Sequence, residues 1–249
     1  VTSVPAFAIF DLDGTLSDSQ RGILASFRAT LDELGLTPSD DRLTSLIGPP
    51  LEDSFAQLGI AAEELDRVVA RYREFYDESG VQKCELYDGV RTMLDGLRRD
   101  GVRMGVATSK RVDFANRMLV SLGIDEYFET VSGASLDGAL SLKDDIVAQV
   151  LSFFQPSQPR KVWMVGDRRY DVLAAQRFGL VSLGVLWGYG TREELVGCGA
   201  DILVGDPREL LELLEDDEGG DPVCWSHLVC PTCGVVRGGE HRRDECTAS

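Results

Sequence analysis

The stretch AIFDLDGTLSDS (8–19) ends an apolar run in two aspartates, Asp11 and Asp13, with Gly14 and Thr15 directly behind them. In a strand, positions i and i+2 project to the same side. Two carboxylates held this close repel, and one tends to stay protonated unless a cation or a reaction on an anion uses the pair. Polar groups close two later apolar runs as well. Thr108 follows GVA, with Ser109 and Lys110 next, and Asp167 follows VWMVG, with Asp171 one helical turn farther on. Lys143 opens a helical stretch between these motifs and is one of only four lysines in 249 residues. Acidic groups that stay ionised together suit a hard cation, and Mg²⁺ takes carboxylate oxygens while retaining water.

Other chemistries are removed by what the chain lacks. Both histidines, His227 and His241, lie near the end, so the first 226 residues cannot build a Ser-His-Asp triad. Cys84 and Cys198 are the only cysteines before residue 224, and neither has an arginine at the C-x5-R spacing of cysteine phosphatases. A formal charge of −17 disfavours nucleic acid or an anionic membrane as the main partner of the body. No apolar run has transmembrane length and no basic-then-apolar leader is visible, so a cytoplasmic protein is expected.

The elements that must position these residues are legible from periodicity. Phe7–Phe10 reads as a buried strand. Helical spacing follows over 19–34, 40–47, 51–58 and 62–77, with no convincing strand between Ser17 and Leu86. Then helices near 90–99, 112–122 and 143–154 and from Asp171 alternate with strands at 102–109 and 162–167; two later apolar runs, VSLGVLW and DILVGD, read as further strands. This alternation predicts an α/β fold, a Rossmann-like parallel sheet covered on both faces. The expected organisation is a core of 1–16 and 89–214, an inserted helical cap at 17–88, an acidic linker at 215–222 and a small Cys/His tail at 223–249. In open α/β sheets, ligands sit beyond the carboxyl ends of the strands, where Asp11, Thr108 and Asp167 fall.

In order and spacing, DLDGT (11–15), GVAT ending at Thr108, Lys143 and GDRRYD (166–171) resemble the haloacid dehalogenase superfamily. LIGPPL (46–51), LYDGV (86–90), VATSK (106–110) and VLWGYGTREEL (185–195) resemble its phosphoglycolate phosphatase-like branch. The likeness spans about residues 5–214, with Asp144 following Lys143 where relatives commonly carry proline. The resemblance implies that Asp11 is a nucleophile that becomes an aspartyl phosphate. Asp13 would protonate the leaving alkoxide and then take a proton from water. Mg²⁺ would be held by Asp11, the Asp13 carbonyl and Asp167, with Asp171 holding a metal-bound water or orienting Lys143. Thr108 and Lys143 would bind phosphoryl oxygens, and Ser109 and Lys110 beside them would join Gly14 and Thr15 in binding the substrate phosphate. Gly14 would let the backbone turn close under the phosphate, and Thr15 would brace that turn.

The implied activity is Mg²⁺-dependent hydrolysis of a small phosphomonoester, of phosphoglycolate or 5′-nucleotide type. Pyrophosphatase or phosphomutase activity on the same fold, or an interaction role through the tail, are the alternatives. In that tail, CPTCG and GEHRRDEC supply Cys230, Cys233, His241 and Cys246 at a spacing like a zinc knuckle, with Cys224 and His227 as alternates. A structural Zn²⁺ is the expectation there, with no partner indicated.

Overall fold

In the computed structural model, residues 6–215 are described. The 223–249 tail, with Cys224, His227, Cys230, Cys233, His241 and Cys246, lies outside them. The chain opens with β1 (Phe7–Phe10) and the two-residue strand β2 (Ser17–Asp18), then passes through α1 (Gln20–Asp32), α2 (Asp40–Thr44), α3 (Leu51–Gln57) and α4 (Leu65–Phe75). A second short strand, β3 (Glu85–Leu86), pairs antiparallel with β2 and closes this helical block. Strands and helices then alternate: α5 (Val90–Arg99), β4 (Arg103–Arg111), α6 (Val112–Leu122), β5 (Thr130–Ala134), α7 (Lys143–Phe154) and β6 (Val162–Gly166). The series ends with α8 (Arg169–Phe178), β7 (Val181–Val185), α9 (Arg192–Gly197), β8 (Ile202–Val204) and α10 (Glu209–Glu215).

Six strands form one sheet in the order β5-β4-β1-β6-β7-β8, every neighbouring pair parallel. The strand order reverses next to β1, which puts the crevice beyond its carboxyl end, where ligands bind in such sheets. Strand geometry divides β1 between two cores. Ala8 and Phe10 join a cluster with Trp163, Val165 and Leu183, while Ile9 packs on the opposite face with Ile146, Val150 and Met164. Being buried on both faces is why these strands read as continuous apolar runs rather than as alternation.

The helical block shares the first of these cores. Phe27 of α1 lies 5.2 Å from the ring of Phe55 and 4.9 Å from that of Tyr72, so α1, α3 and α4 meet through aromatic rings. Among the described residues, no helix is long and apolar enough to cross a membrane.

Four details differ from the periodicity. The span 17–86, read as free of strands, holds the short antiparallel pair β2 and β3, whose two residues each are too few to give an alternation. β5 carries no clear strand signal; it is an edge strand, pairs only with β4, and holds a serine and a glycine in five residues. The stretch 62–77 begins as a 3₁₀ turn (Ala62–Glu64), continues as α4 and ends in a π-helical turn over Tyr76–Gly80. β4 runs two residues past 109, through a register shift against β5.

Candidate active site

At the carboxyl end of β1, Asp11 is 8 % exposed; Asp167, after β6, is fully buried, and Asp171, in the first turn of α8, nearly so. One carboxylate oxygen from each lies within 4.8 Å of the others, a group able to hold a metal ion. Burial, with the charges of Asp11 and Asp171 added, pushes the Asp167 carboxyl up to about 8. Burial also raises Asp171, to about 6, against the opposing pull of Lys143.

Lys143 is the cation inside this cluster. Its Nζ lies 2.8 Å from Asp11 Oδ1 and 2.7 Å from Asp171 Oδ1, and donates to the Ala107 carbonyl at 2.7 Å. Apart from that ammonium, neither of these two carboxylate oxygens has a partner among the described residues. Burial alone would lower the lysine, but Asp11 and Asp171 outweigh it and raise its pKa. Lys143 is also the first residue of α7, where the helix dipole disfavours a cation. Asp144 and Asp145 in the same turn offset that cost. Three buried carboxyl groups against one ammonium leave the cluster with excess negative charge when all are ionised.

The turn after β1 brings the remaining groups in. Gly14 has φ +86°, and a Cβ there would lie 2.9 Å from Asp167 Oδ1 and nearer still to the other carboxylate oxygen. Only glycine fits both the left-handed backbone and that approach. Thr15 Oγ1 donates to Asp167 Oδ1 at 3.4 Å, and its carbonyl accepts from the Trp187 indole at 3.0 Å. Asp13 is turned away from the carboxylate cluster: its Oδ1 accepts from the Ser19 hydroxyl, and its Oδ2 pairs with Lys110 Nζ at 2.8 Å. Thr108 is buried and its Oγ1 accepts from the Lys110 backbone N–H at 3.2 Å.

A cavity of about 460 Å³ opens between the sheet end and the helical block. Asp11, Asp13, Thr108, Ser109 and Lys110 line its floor; Ile23, Phe27, Ile47, Pro49, Tyr72 and Tyr76 line the facing wall. The LIGPPL loop thus borders the cavity, and the Ile47 carbonyl accepts from the Arg168 guanidinium, which also pairs with Glu194 at 3.0 Å.

The loop after β7 supplies partners that motif reading misses. The Tyr189 and Gly190 backbone N–H groups donate to Asp167 Oδ2 at 2.7 and 3.4 Å, and the Tyr189 hydroxyl accepts from the Ser19 N–H at 2.9 Å. The glycines of WGYG, within VLWGYGTREEL, are the available signal, because a Cβ on Gly188 or Gly190 would strike Asp167.

Residues 8–185 match the family described as haloacid dehalogenase-like hydrolase. The chain belongs to this family. It is 41% identical over 212 residues to the tyrosine-protein kinase PtkA of Mycobacterium tuberculosis, covering 85% of this chain and 72% of that protein. It is 34% identical to a 5′-nucleotidase of Pseudomonas aeruginosa, over 83% of this chain and 94% of the other. A solved structure described as a predicted phosphatase from Clostridium acetobutylicum superposes with a TM-score of 0.81 at 33% identity, covering 85% and 98% of the two chains. The family's fold and hydrolase class therefore apply to this chain as a haloacid dehalogenase-like enzyme.

Proposed function

We propose that the chain is a Mg²⁺-dependent phosphatase of small phosphomonoesters working through an aspartyl phosphate on Asp11. The observation that carries this reading is the buried Asp11–Asp167–Asp171 group threaded by Lys143, with a second acid, Asp13, beside it facing the cavity. The carboxylate cluster fits a divalent cation: it is all hard oxygen, it carries excess negative charge, and two of its oxygens have, among the described residues, Lys143 alone as a partner. Asp11, Asp167 and the Asp13 carbonyl would hold the ion, with Asp171 behind them. Bound there, Mg²⁺ supplies electrostatic shielding between the nucleophile and the anionic ester.

The chain's own residues carry the steps. An Asp11 carboxylate oxygen attacks phosphorus while the P–O bond to the leaving group breaks. Asp13 delivers its proton to the departing oxygen, and then accepts one from the water that attacks the acyl phosphate. That second attack breaks the bond between phosphorus and Asp11, releasing phosphate. Lys143 and Thr108 hold the non-bridging oxygens, whose charge spreads in the transition state. The block 17–88 acts as a cap that keeps bulk water out.

Within the expected substrates, the cavity favours a nucleoside-like leaving group over glycolate. The cations lining it are already engaged: Arg73 with Glu52 at 3.4 Å, Arg111 with Asp113 at 2.5 Å, and Lys110 with Asp13. Among the described residues lining the cavity, a substrate carboxylate would find no unpaired positive charge, and the wall facing it is largely apolar (Ile23, Phe27, Ile47, Tyr72, Tyr76).

The 41% identical relative named as a tyrosine-protein kinase supports a second reading, in which a phenolic hydroxyl rather than water takes the phosphoryl group from Asp11. The test is phosphate release from 5′-nucleotides, phosphoglycolate, sugar phosphates and pyrophosphate, with Mg²⁺ or EDTA. Mg²⁺-dependent release of free phosphate, highest for nucleotides, is expected. Label appearing in protein instead of free phosphate would favour the second reading.

A further inference from the structure

Lys110 is a partly buried residue, its side chain little exposed, whose ammonium the chemistry above leaves without a task. It sits where β4 breaks register with β5: Thr108 pairs with Gly133, and the next pair is Arg111 with Ala134. Ser109 and Lys110 are therefore extra residues in a bulge, a device that re-aims side chains next to sites. Gly133 permits the bulge to lie close, since a Cβ there would stand 2.5 Å from the Lys110 carbonyl oxygen. The side chain, only 8 % exposed, reaches Asp13 Oδ2 at 2.8 Å and the Tyr76 hydroxyl at 2.8 Å, with its ammonium 4.2 Å from the centre of the Tyr76 ring.

An ammonium only donates, so the Tyr76 oxygen accepts from it and sends its own proton to Met118 Sδ at 3.3 Å. Burial holds the phenol neutral, well above its ordinary range, with the Asp13 charge adding to the effect. Tyr76 belongs to the helical block, in the π-helical turn that ends α4, a geometry often found at functional sites. Its ring has a fitted seat: a Cβ on Gly80 would stand 2.5 Å from Tyr76 Cδ2. Phe114 meets the ring edge-on at 5.3 Å.

We propose that Lys110, seated by Tyr76, is the positioning residue for Asp13. Lys110 and Ser19 grip the two oxygens of that carboxyl group from opposite sides and fix it toward the leaving group. Because one anchor of the lysine is on the helical block, Asp13 is set for proton transfer only when that block is seated over the sheet end. Lys110 contributes geometry to the acid–base step; it does not bind the transferred phosphoryl group. This rests on the phosphatase reading above.

The experiment is a series of monophosphate esters hydrolysed by wild type, Lys110→Met, Tyr76→Phe and Asp11→Asn, with thermal melts as a check on folding. Esters of nitrophenol leave without a proton, whereas alkyl esters need one. Lys110→Met is expected to lose about 100-fold in kcat on alkyl esters, the lower end of what a positioned acid contributes, and only a few-fold on the nitrophenyl ester. KM should be little changed for either. Tyr76→Phe, which keeps the ring and removes only the hydroxyl, should show the same selectivity at smaller size. A loss equal across all leaving groups, or one confined to KM, overturns the proposal and makes Lys110 a phosphate ligand. No release from any ester by wild type, or undiminished release by Asp11→Asn, overturns the phosphatase reading and this proposal with it.

Discussion

Replacing Asp167 by asparagine should stabilise the metal-free chain while removing its response to metal. Asp167 is fully buried, and its carboxyl is raised to about 8 from 3.8, first by burial and then by Asp11 and Asp171. The folded chain without metal therefore holds a proton there that the unfolded chain has released. The folded state binds more protons, so stability falls as pH rises from about 4 to about 8. Asp171, raised to about 6, adds its share mainly below pH 6. Between pH 6 and 8 the slope belongs mostly to Asp167, and one proton at about 1.4 kcal/mol per pH unit gives a loss of about 2 kcal/mol. Asparagine carries no such charge, and its amide suits the site. The carbonyl can accept from the Tyr189 N–H as Oδ2 does, while the NH₂ meets Thr15 Oγ1. Urea unfolding in EDTA at pH 6, 7 and 8 measures the effect. Wild type should lose about 2 kcal/mol more than Asp167→Asn across that range, and should recover stability on adding Mg²⁺, as ligand linkage requires. Equal pH slopes, or a variant less stable than wild type at pH 8 in EDTA, would mean that Asp167 does not hold a proton in the metal-free fold.

Lys143→Met should cost about 3–5 kcal/mol, the usual result of removing one member of a buried ion group, because Asp11 and Asp171 lose the ammonium they are paired with. Urea midpoints at pH 7 check this. Gly14→Ala should lose at least about 1 kcal/mol from its left-handed backbone, more from the collision with Asp167, and nearly all turnover; melts beside an activity assay separate the two effects. Arg168→Ala, which unties the Ile47 carbonyl and Glu194 together, should raise KM more than it lowers kcat, since it frees the loop bordering the cavity while leaving the carboxylate cluster in place.

The site is legible in sequence where position in an element decides which way a side chain faces. Asp11 and Asp167 follow buried strands, so a single letter after an apolar run is enough to place them, while Lys143 and Asp171 stand in first helical turns. The helical block is equally legible, because the spacing of Ile23, Phe27 and Leu31 leaves α1 one face to bury. What escapes is whatever depends on chain segments meeting through space. β5 is hidden because an edge strand needs neither a continuous apolar run nor strict alternation. The pairing of Lys110 with Asp13 depends on a bulge that shifts the lysine out of register, and periodicity assumes register. The hydrogen bonds from Tyr189 and Gly190 to Asp167 come from the backbone of a loop, which carries no side-chain signature.

The proposed phosphatase passes the phosphoryl group through Asp11. Acid quenching of the chain during turnover of a phosphomonoester with Mg²⁺, followed by peptide mass spectrometry, tests this directly. The mass of one phosphoryl group is expected on the peptide holding Asp11, absent without substrate and absent in Asp11→Asn, which should also release no phosphate. Steady turnover with an unmodified Asp11 peptide, or turnover by Asp11→Asn, would contradict it.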